Sequence, residues 1–289
     1  MPTASLDSQL DSRYACHVKS STHRRAEIIT ILNLKGGVGK THASWLLAGV
    51  CEERGQKCLC IDLDTQGNLT RNLIDDASPV PGVEMLFHPG SDSDAKELIR
   101  RTRFEHIDLI PASYAIAPFD LSDQRQWEAS DQQRTLHDAL EPIRDQYDFI
   151  ICDCPPRLSL VSFASLVASD HCLIPLEAAD WGAQGVTQVT EAVHYVQKRE
   201  NARLHLLGYL ISRFKTARTY QHSYLAQLRE HFGDLAFDTV VADLAGFEKS
   251  VTHAHPINLR ESSSREADIA RQPPRTGLEP ATGGLTAGC

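Results

Sequence analysis

From Glu27 onward, short runs of nearly uninterrupted apolar residues alternate with longer stretches whose apolar positions recur every three or four residues. The runs are "IITILN" (28–33), "CLCIDL" (58–63), "IDLIPA" (107–112), "FIICD" (149–153), "CLIPL" (172–176), "LLGYLIS" (206–212) and "FDTVV" (237–241). Short segments that are apolar on both faces predict strands of a parallel sheet covered on both sides. Segments 41–54, 132–146, 159–169, 184–200 and 219–232 carry the helical period between them. This alternation predicts an α/β fold: a doubly wound, mainly parallel sheet flanked by helices, in one domain spanning 27–272. Residues 1–26 are Ser-rich and aperiodic, and predict a disordered N-terminal tail. Residues 273–289, "PPRTGLEPATGGLTAGC", hold three prolines and four glycines and predict a second one.

Composition narrows the class. At 289 residues, with 42% hydrophobic and 23% charged positions, the chain can bury a substantial core. No apolar run approaches the ~20 residues a membrane helix needs. The first 25 residues lack the apolar centre of a secretory signal, so the cytoplasm is the expected setting. A net charge of −9 argues against DNA binding by the whole surface. Of eight cysteines, four form two C-x-C pairs, Cys58/Cys60 and Cys152/Cys154. Alternation would put each pair on one strand face, which a four-thiolate metal site could use. Their Val/Ile/Leu-rich surroundings and non-zinc spacing favour buried, reduced thiols.

One local pattern is unlike the rest. "NLKGGVGKT" (33–41) follows the first predicted strand and opens the first predicted helix, the context of a phosphate-binding loop. Glycines let backbone N–H groups approach phosphate oxygens, and the helix N-terminus adds partial positive charge. Lys40 can reach the β- and γ-phosphates and the Thr41 hydroxyl can ligate Mg²⁺. In the general pattern G-x-x-x-x-G-K-[ST] the first glycine would fall at Leu34; here a second lysine, Lys35, precedes Gly36-Gly37 instead. Two acidic strand ends accompany the loop. Asp62 and Asp64 close "CLCIDLD", and Asp153 sits at the end of "FIICD", before Pro155-Pro156.

"KGGVGKT" resembles the deviant phosphate-loop motif of the ParA/MinD family of ATPases. "CLCIDLDTQGNLT" (58–70) and "YDFIICDCPPRLS" (147–159) resemble that family's two switch regions, with Thr65 where a proline is common. The resemblance runs from about Glu27 to Ile257, and the lack of a basic amphipathic terminal helix favours the smaller ParA type over MinD. It implies ATP and Mg²⁺ as cofactors. Lys35, Gly36, Gly37, Val38, Gly39, Lys40, Thr41 and the peptide N–H of His42 would hold the nucleotide, and Thr41, Asp62 and Asp153 would serve the metal. Lys35, Lys40 and Asp64 would carry catalysis: Lys35 crosses an ATP-sandwiched homodimer to the partner's phosphates, and Asp64 positions or activates the attacking water. Hydrolysis would be slow and stimulated by a ParB-like partner.

The family's ATP-bound dimers bind DNA without sequence preference, which would make the protein nucleoid-associated and free of membrane. Seven Lys/Arg against two acids between Gln197 and Glu230 supply a local basic patch, with Arg203, Arg213, Lys215 and Arg218 as candidate DNA contacts. Against this, "VADLAGFEKSVTHAHPI" (241–257) lacks the arginines the family often has there. The segment that starts like the family's closing helix meets Pro273-Pro274. Two alternatives stay open: a nucleotide-binding relative without a DNA role, and a metal-handling or amidoligase-type enzyme on the same scaffold.

Overall fold

The computed structural model describes residues 25–75, 81–88, 94–121, 131–177, 184–215 and 217–243. Among these residues eight strands form one sheet: β1 (Glu27–Ile31), β2 (Cys58–Asp62), β3 (Arg100–Arg101), β4 (Ile107–Ile110), β5 (Phe149–Asp153), β6 (His171–Glu177), β7 (His205–Phe214) and β8 (Ala236–Ala242). Their order is β3-β4-β2-β5-β1-β6-β7-β8, parallel throughout except for the antiparallel edge pair β3–β4. The fold is therefore the α/β, mainly parallel sheet that the apolar runs predict. The two tails, and the loop 241–257 beyond Asp243, lie outside the described residues. At the near end the fold takes in two residues assigned to the tail: Ala26 is fully buried and hydrogen-bonded to Arg144, and Arg25 pairs with Glu141.

Both faces of the sheet are covered. Side-chain alternation along β1, β2 and β5 sends Ile29, Ile31, Cys58, Cys60 and Ile151 to one face and Ile28, Leu59, Ile61, Ile150 and Cys152 to the other. The first face is packed by α1 (Lys40–Glu53) and α2 (Asn68–Leu73), with the fully buried Trp45 edge-on to Phe104 at 6.0 Å. Burying such a side chain contributes roughly 2–3 kcal/mol. After α3 (Ala95–Leu98) and α4 (Ala117–Asp120), the second face is packed by α5 (Thr135–Leu140), α6 (Leu160–Ala168) and α7 (Gln184–Arg199); every residue of α6 is buried. Last comes α8 (Thr219–Phe232), which rests Leu225 and Leu228 on the sheet. The continuous helix expected over 132–146 is instead a 3₁₀ turn, the short α5, and a second 3₁₀ stretch beginning Glu141-Pro142. Proline lacks the N–H and clashes with the carbonyl four residues back, so α5 stops before it.

The cysteines follow from the same alternation. Cys58 and Cys60 point to the α1 face and Cys152 and Cys154 to the α6 face, with the sheet between them, so the four cannot share one ion. All are buried and free, and burial pushes the Cys152 thiol up to about 12.

Sheet order positions the site. From β1 the chain passes over the slot later filled by β5 to reach β2, and after β5 it crosses to the other side of β1. The carboxyl ends of β1, β2, β5, β6 and β7 therefore lie along one edge, where strand order reverses and ligands bind in open α/β sheets.

Candidate nucleotide site

The loop after β1 has the local geometry its glycines demand. Gly37 and Gly39 take left-handed φ values of 78° and 87°, where an L side chain is strained, and Gly39 leads into α1 without a side-chain cap. The first N–H groups of α1 are thus left to a ligand. Gly36 differs: a Cβ there would meet open space. Neighbouring strands tether the loop. Asn33 Nδ2 donates to the Pro175 carbonyl (2.7 Å) and Asn33 Oδ1 accepts the Lys35 N–H (2.9 Å). The Ser212 hydroxyl donates to the Val38 carbonyl, and Arg213 Nη1 donates to that of Gly37 (3.1 Å).

Lys40 opens α1 and folds back over the loop, its buried Nζ donating to the Lys35 carbonyl at 3.1 Å. Burial lowers the pKa of its ammonium, and Asp153, Cys154 and Asp64 pull the other way. A cavity of about 530 Å³ opens beside it, lined by the loop, Asp64, Asn68 and Pro156 on one side and by Ser212, Arg213 and Val241–Asp243 on the other.

The carboxylates sit level with the loop. Asp62 on β2 and Ile31 on β1 are both register partners of Asp153, and both carboxylates are fully buried. They are used differently. Asp62 Oδ2 accepts the Thr70 N–H and hydroxyl, both at 2.8 Å, and Oδ1 accepts the Asp64 N–H at 3.2 Å. It thereby pins the turn that presents Asp64, whose own Oδ1 accepts the Gln66 N–H (2.9 Å). Thr70 extends the pin by accepting the Ala112 N–H at 2.9 Å. Asp153 Oδ1 accepts from the Ser44 hydroxyl (3.0 Å), one helical turn beyond Lys40, while Oδ2 is buried with no hydrogen-bond partner among the described residues. Burial first, and Asp62 next, push the Asp153 carboxyl well above the usual carboxylate range; the Thr41 and Ser44 hydroxyls and Lys40 act in the opposite sense. A buried oxygen without a donor, beside the Thr41 hydroxyl, is what a divalent cation would satisfy, so this donor set fits Mg²⁺. Beyond Pro156 the chain is fixed through Asp120, which accepts the Ser159 hydroxyl (2.9 Å) and faces Arg157 at 3.3 Å.

His42, expected to offer only its peptide N–H, turns its ring inward, and burial lowers its pKa to about 4. The four arginines and lysines expected on a DNA face do not form one cluster. Arg203 precedes β7, whereas Arg213, Lys215 and Arg218 gather at the opposite end of that strand, roughly 30 Å away at 3.3 Å per residue. Arg213 lies against the phosphate loop, Lys215 pairs with Asp243 at 3.1 Å, and the exposed Arg218 donates to the Tyr220 hydroxyl at 2.7 Å. Lys35 faces Glu177 at 3.5 Å. Residues that pattern reading missed are Asn33, Ser44, Glu177 and Ser212; of these only Ser44, four residues after Lys40 on one helix face, left a sequence signal.

Residues 26–206 match a family described as an AAA domain. The chain is 31% identical over 244 residues to the sporulation initiation inhibitor protein Soj of Bacillus subtilis, covering 84% of this chain and 94% of Soj. It is 29% identical to the chromosome partitioning protein ParA of Myxococcus xanthus, covering 82% of this chain and 83% of that one. Among solved structures it superposes, with a TM-score of 0.65 and 27% identity, on a Mycobacterium smegmatis protein described as cobyrinic acid a,c-diamide synthase with bound ATP analog and magnesium, covering 72% of this chain and 83% of that one. A phosphate loop with its additional lysine, two buried carboxylates at its edge and relatives of this similarity agree: the chain belongs to the ParA/MinD family of P-loop ATPases.

Proposed function

We propose that this ATPase works as a nucleotide-timed dimer: ATP and Mg²⁺ bring two subunits together, the dimer holds DNA without sequence preference, and hydrolysis releases it. The observation that carries this reading is the paired lysines of one loop, Lys40 folded into the cavity and Lys35 half exposed at its rim. A single site needs one phosphate lysine. A second, on the open side, suits a neighbouring subunit's phosphates.

Within the subunit, the N–H groups of Gly37 to His42 and the Lys40 ammonium bind and orient the triphosphate. Thr41 and Asp153 would hold Mg²⁺, which when bound neutralises charge on the transferred phosphoryl group. Asp64 lines the cavity at the end of a turn pinned by Asp62 and Thr70, so its carboxylate is held to orient a water. Catalysis of this kind is chiefly positioning and electrostatic stabilisation, which a rigid buried acid cluster supplies. Turnover is slow until a ParB-like protein completes the site. Lys215 and Arg218, with Arg203 further off, are the DNA contacts, and the protein resides on the nucleoid and moves a plasmid, a chromosome origin or another large cargo.

The test is retention on non-specific DNA with ATP, ADP or no nucleotide, at two salt concentrations. Retention with ATP alone, weakening as salt rises, is expected. ATP binding without retention in any state removes the DNA role. The likeness to the Mycobacterium smegmatis structure supports a second reading, an amidoligase, in which ATP turnover depends on a carboxylic acid substrate and a nitrogen donor instead of on DNA.

A further inference from the structure

The three cations around the phosphate loop are not equivalent. Lys40 is buried, whereas the Lys35 and Arg213 side chains are 43% and 53% exposed and share one carboxylate. Glu177 Oε2 lies 3.5 Å from Lys35 Nζ, and Oε1 lies 3.4 Å from Arg213 Nη1. Sheet order makes this possible: β6 runs between β1 and β7, so its last residue stands between the phosphate loop and the end of β7.

Arg213 is aimed there at some expense to the backbone. Among the described residues it is the one non-glycine with a positive φ, 52°, and the β7–β8 register shifts between Ile211 and Phe214, around it. Such irregularities turn a side chain away from its regular direction, often beside a functional site. Here the turned guanidinium reaches both the Gly37 carbonyl and Glu177.

A lysine that is to act on a partner's phosphates must first leave its own subunit, and Glu177 is a contact that Lys35 must leave. We propose that Glu177 is a positioning residue that parks Lys35 on its own subunit, and that Arg213 takes over the carboxylate when Lys35 departs, so that the trio sets the ATP concentration at which subunits pair. The inference rests on the dimer reading above. Ion pairs this exposed are weak, so the parking delays Lys35 without blocking it. A polyphosphate offers more charge and more acceptor oxygens than one carboxylate and draws the ammonium away. Without Arg213, the departure would leave Glu177 unpaired beside the arriving phosphates, where like charges repel. With Arg213 already at 3.4 Å, the carboxylate stays compensated. Two cations on one carboxylate are what make one of them releasable.

The test compares wild type, Glu177→Gln, Arg213→Ala, the double variant Glu177→Gln/Arg213→Ala, and Glu177→Gln in a Lys35→Ala background. Two readouts are taken: affinity for a fluorescent ATP analogue at a dilution that keeps subunits apart, and the ATP concentration giving half-maximal dimer by sedimentation. Glu177→Gln is expected to tighten ATP binding and lower the dimer threshold by about two- to fivefold, the range of an exposed ion pair, with the effect fading near about 0.5 M salt. In the Lys35→Ala background, which is expected to stay monomeric, the gain in ATP affinity should shrink, which a purely structural glutamate would not produce. Arg213→Ala should raise the threshold, and adding Glu177→Gln should restore it. Unchanged values in Glu177→Gln, or no restoration in the double variant, overturn the proposal. Affinities that follow the expected pattern in a protein that never dimerises support the parking and reject the dimer reading instead.

Discussion

The two flanks of the phosphate loop are built on opposite principles. On the β2/β5 flank, Asp62, Asp153, Ser44 and Lys40 are buried: Ser44 donates to Asp153 and to the Lys40 carbonyl at 3.0 and 3.2 Å, and Asp62 holds Thr70 and the turn carrying Asp64 at 2.8–3.2 Å. On the β6/β7 flank, Lys35, Glu177 and Arg213 are partly exposed and meet at 3.4–3.5 Å through one shared carboxylate. Low dielectric makes the first set strong, and dangerous if left incomplete: two carboxylates are stacked with one donor missing. Solvent makes the second set weak and exchangeable. The buried flank fixes where chemistry can occur; the open flank decides when the site responds.

Three tests sharpen this contrast, from the largest effect to the smallest. Lys40→Ala removes the one cation of the buried flank and should weaken ATP binding by about 100-fold, the scale of a charge-assisted contact, as read by calorimetry. An equal loss from Arg213→Ala would erase the distinction between the flanks.

Asp153→Asn tests the incomplete donor set. Its raised pKa means that wild-type stability is fully present below the ordinary carboxylate range and is lost as pH rises through the elevated folded value. The nucleotide-free variant should therefore be more stable than wild type by about 1–3 kcal/mol at pH 8, with the gap closing as the pH falls toward 4. Thermal melts at both pH values measure it, and nucleotide binding by the variant should lose its dependence on Mg²⁺. A variant less stable than wild type at pH 8 would mean that the buried carboxylate is already compensated.

Gly39→Ala forces a Cβ into a left-handed position and against Ser212 at 3.4 Å, whereas Gly36→Ala meets nothing within 4 Å. The first should lower stability by about 1–2 kcal/mol and the second by less than about 0.5, so paired denaturation curves separate a strained glycine from one kept clear for ligand.

What the sequence revealed divides along the same line. The interior strands were legible because a doubly covered parallel strand is apolar on both faces, as in "CLCID" and "FIICD". The edge strand Arg100–Arg101 was not, because two arginines carry no such signal. Lys35, Lys40 and the glycines were legible because a phosphate loop is a local requirement for backbone shape. Asp62 and Asp153 were legible because each ends an apolar strand. Glu177 and Arg213 were not: Glu177 falls just past the predicted strand 172–176, and Arg213 read as one more cation in a basic stretch. Their meeting over the loop depends on β6 and β7 lying beside β1 and on a local shift in β7, neither of which is written in residue spacing. Likewise the distance between Arg203 and the other three cations appears only once β7 is seen to run the whole depth of the sheet.

The most direct test of the account is sedimentation of wild type and Lys35→Ala with ADP and with ATP, alongside their nucleotide affinities as separate subunits. The expected result is a wild-type dimer with ATP alone, and a Lys35→Ala protein that binds ATP yet stays a monomer. A Lys35→Ala variant that dimerises on ATP as wild type does would contradict the central claim that the open-flank lysine acts across the subunit boundary.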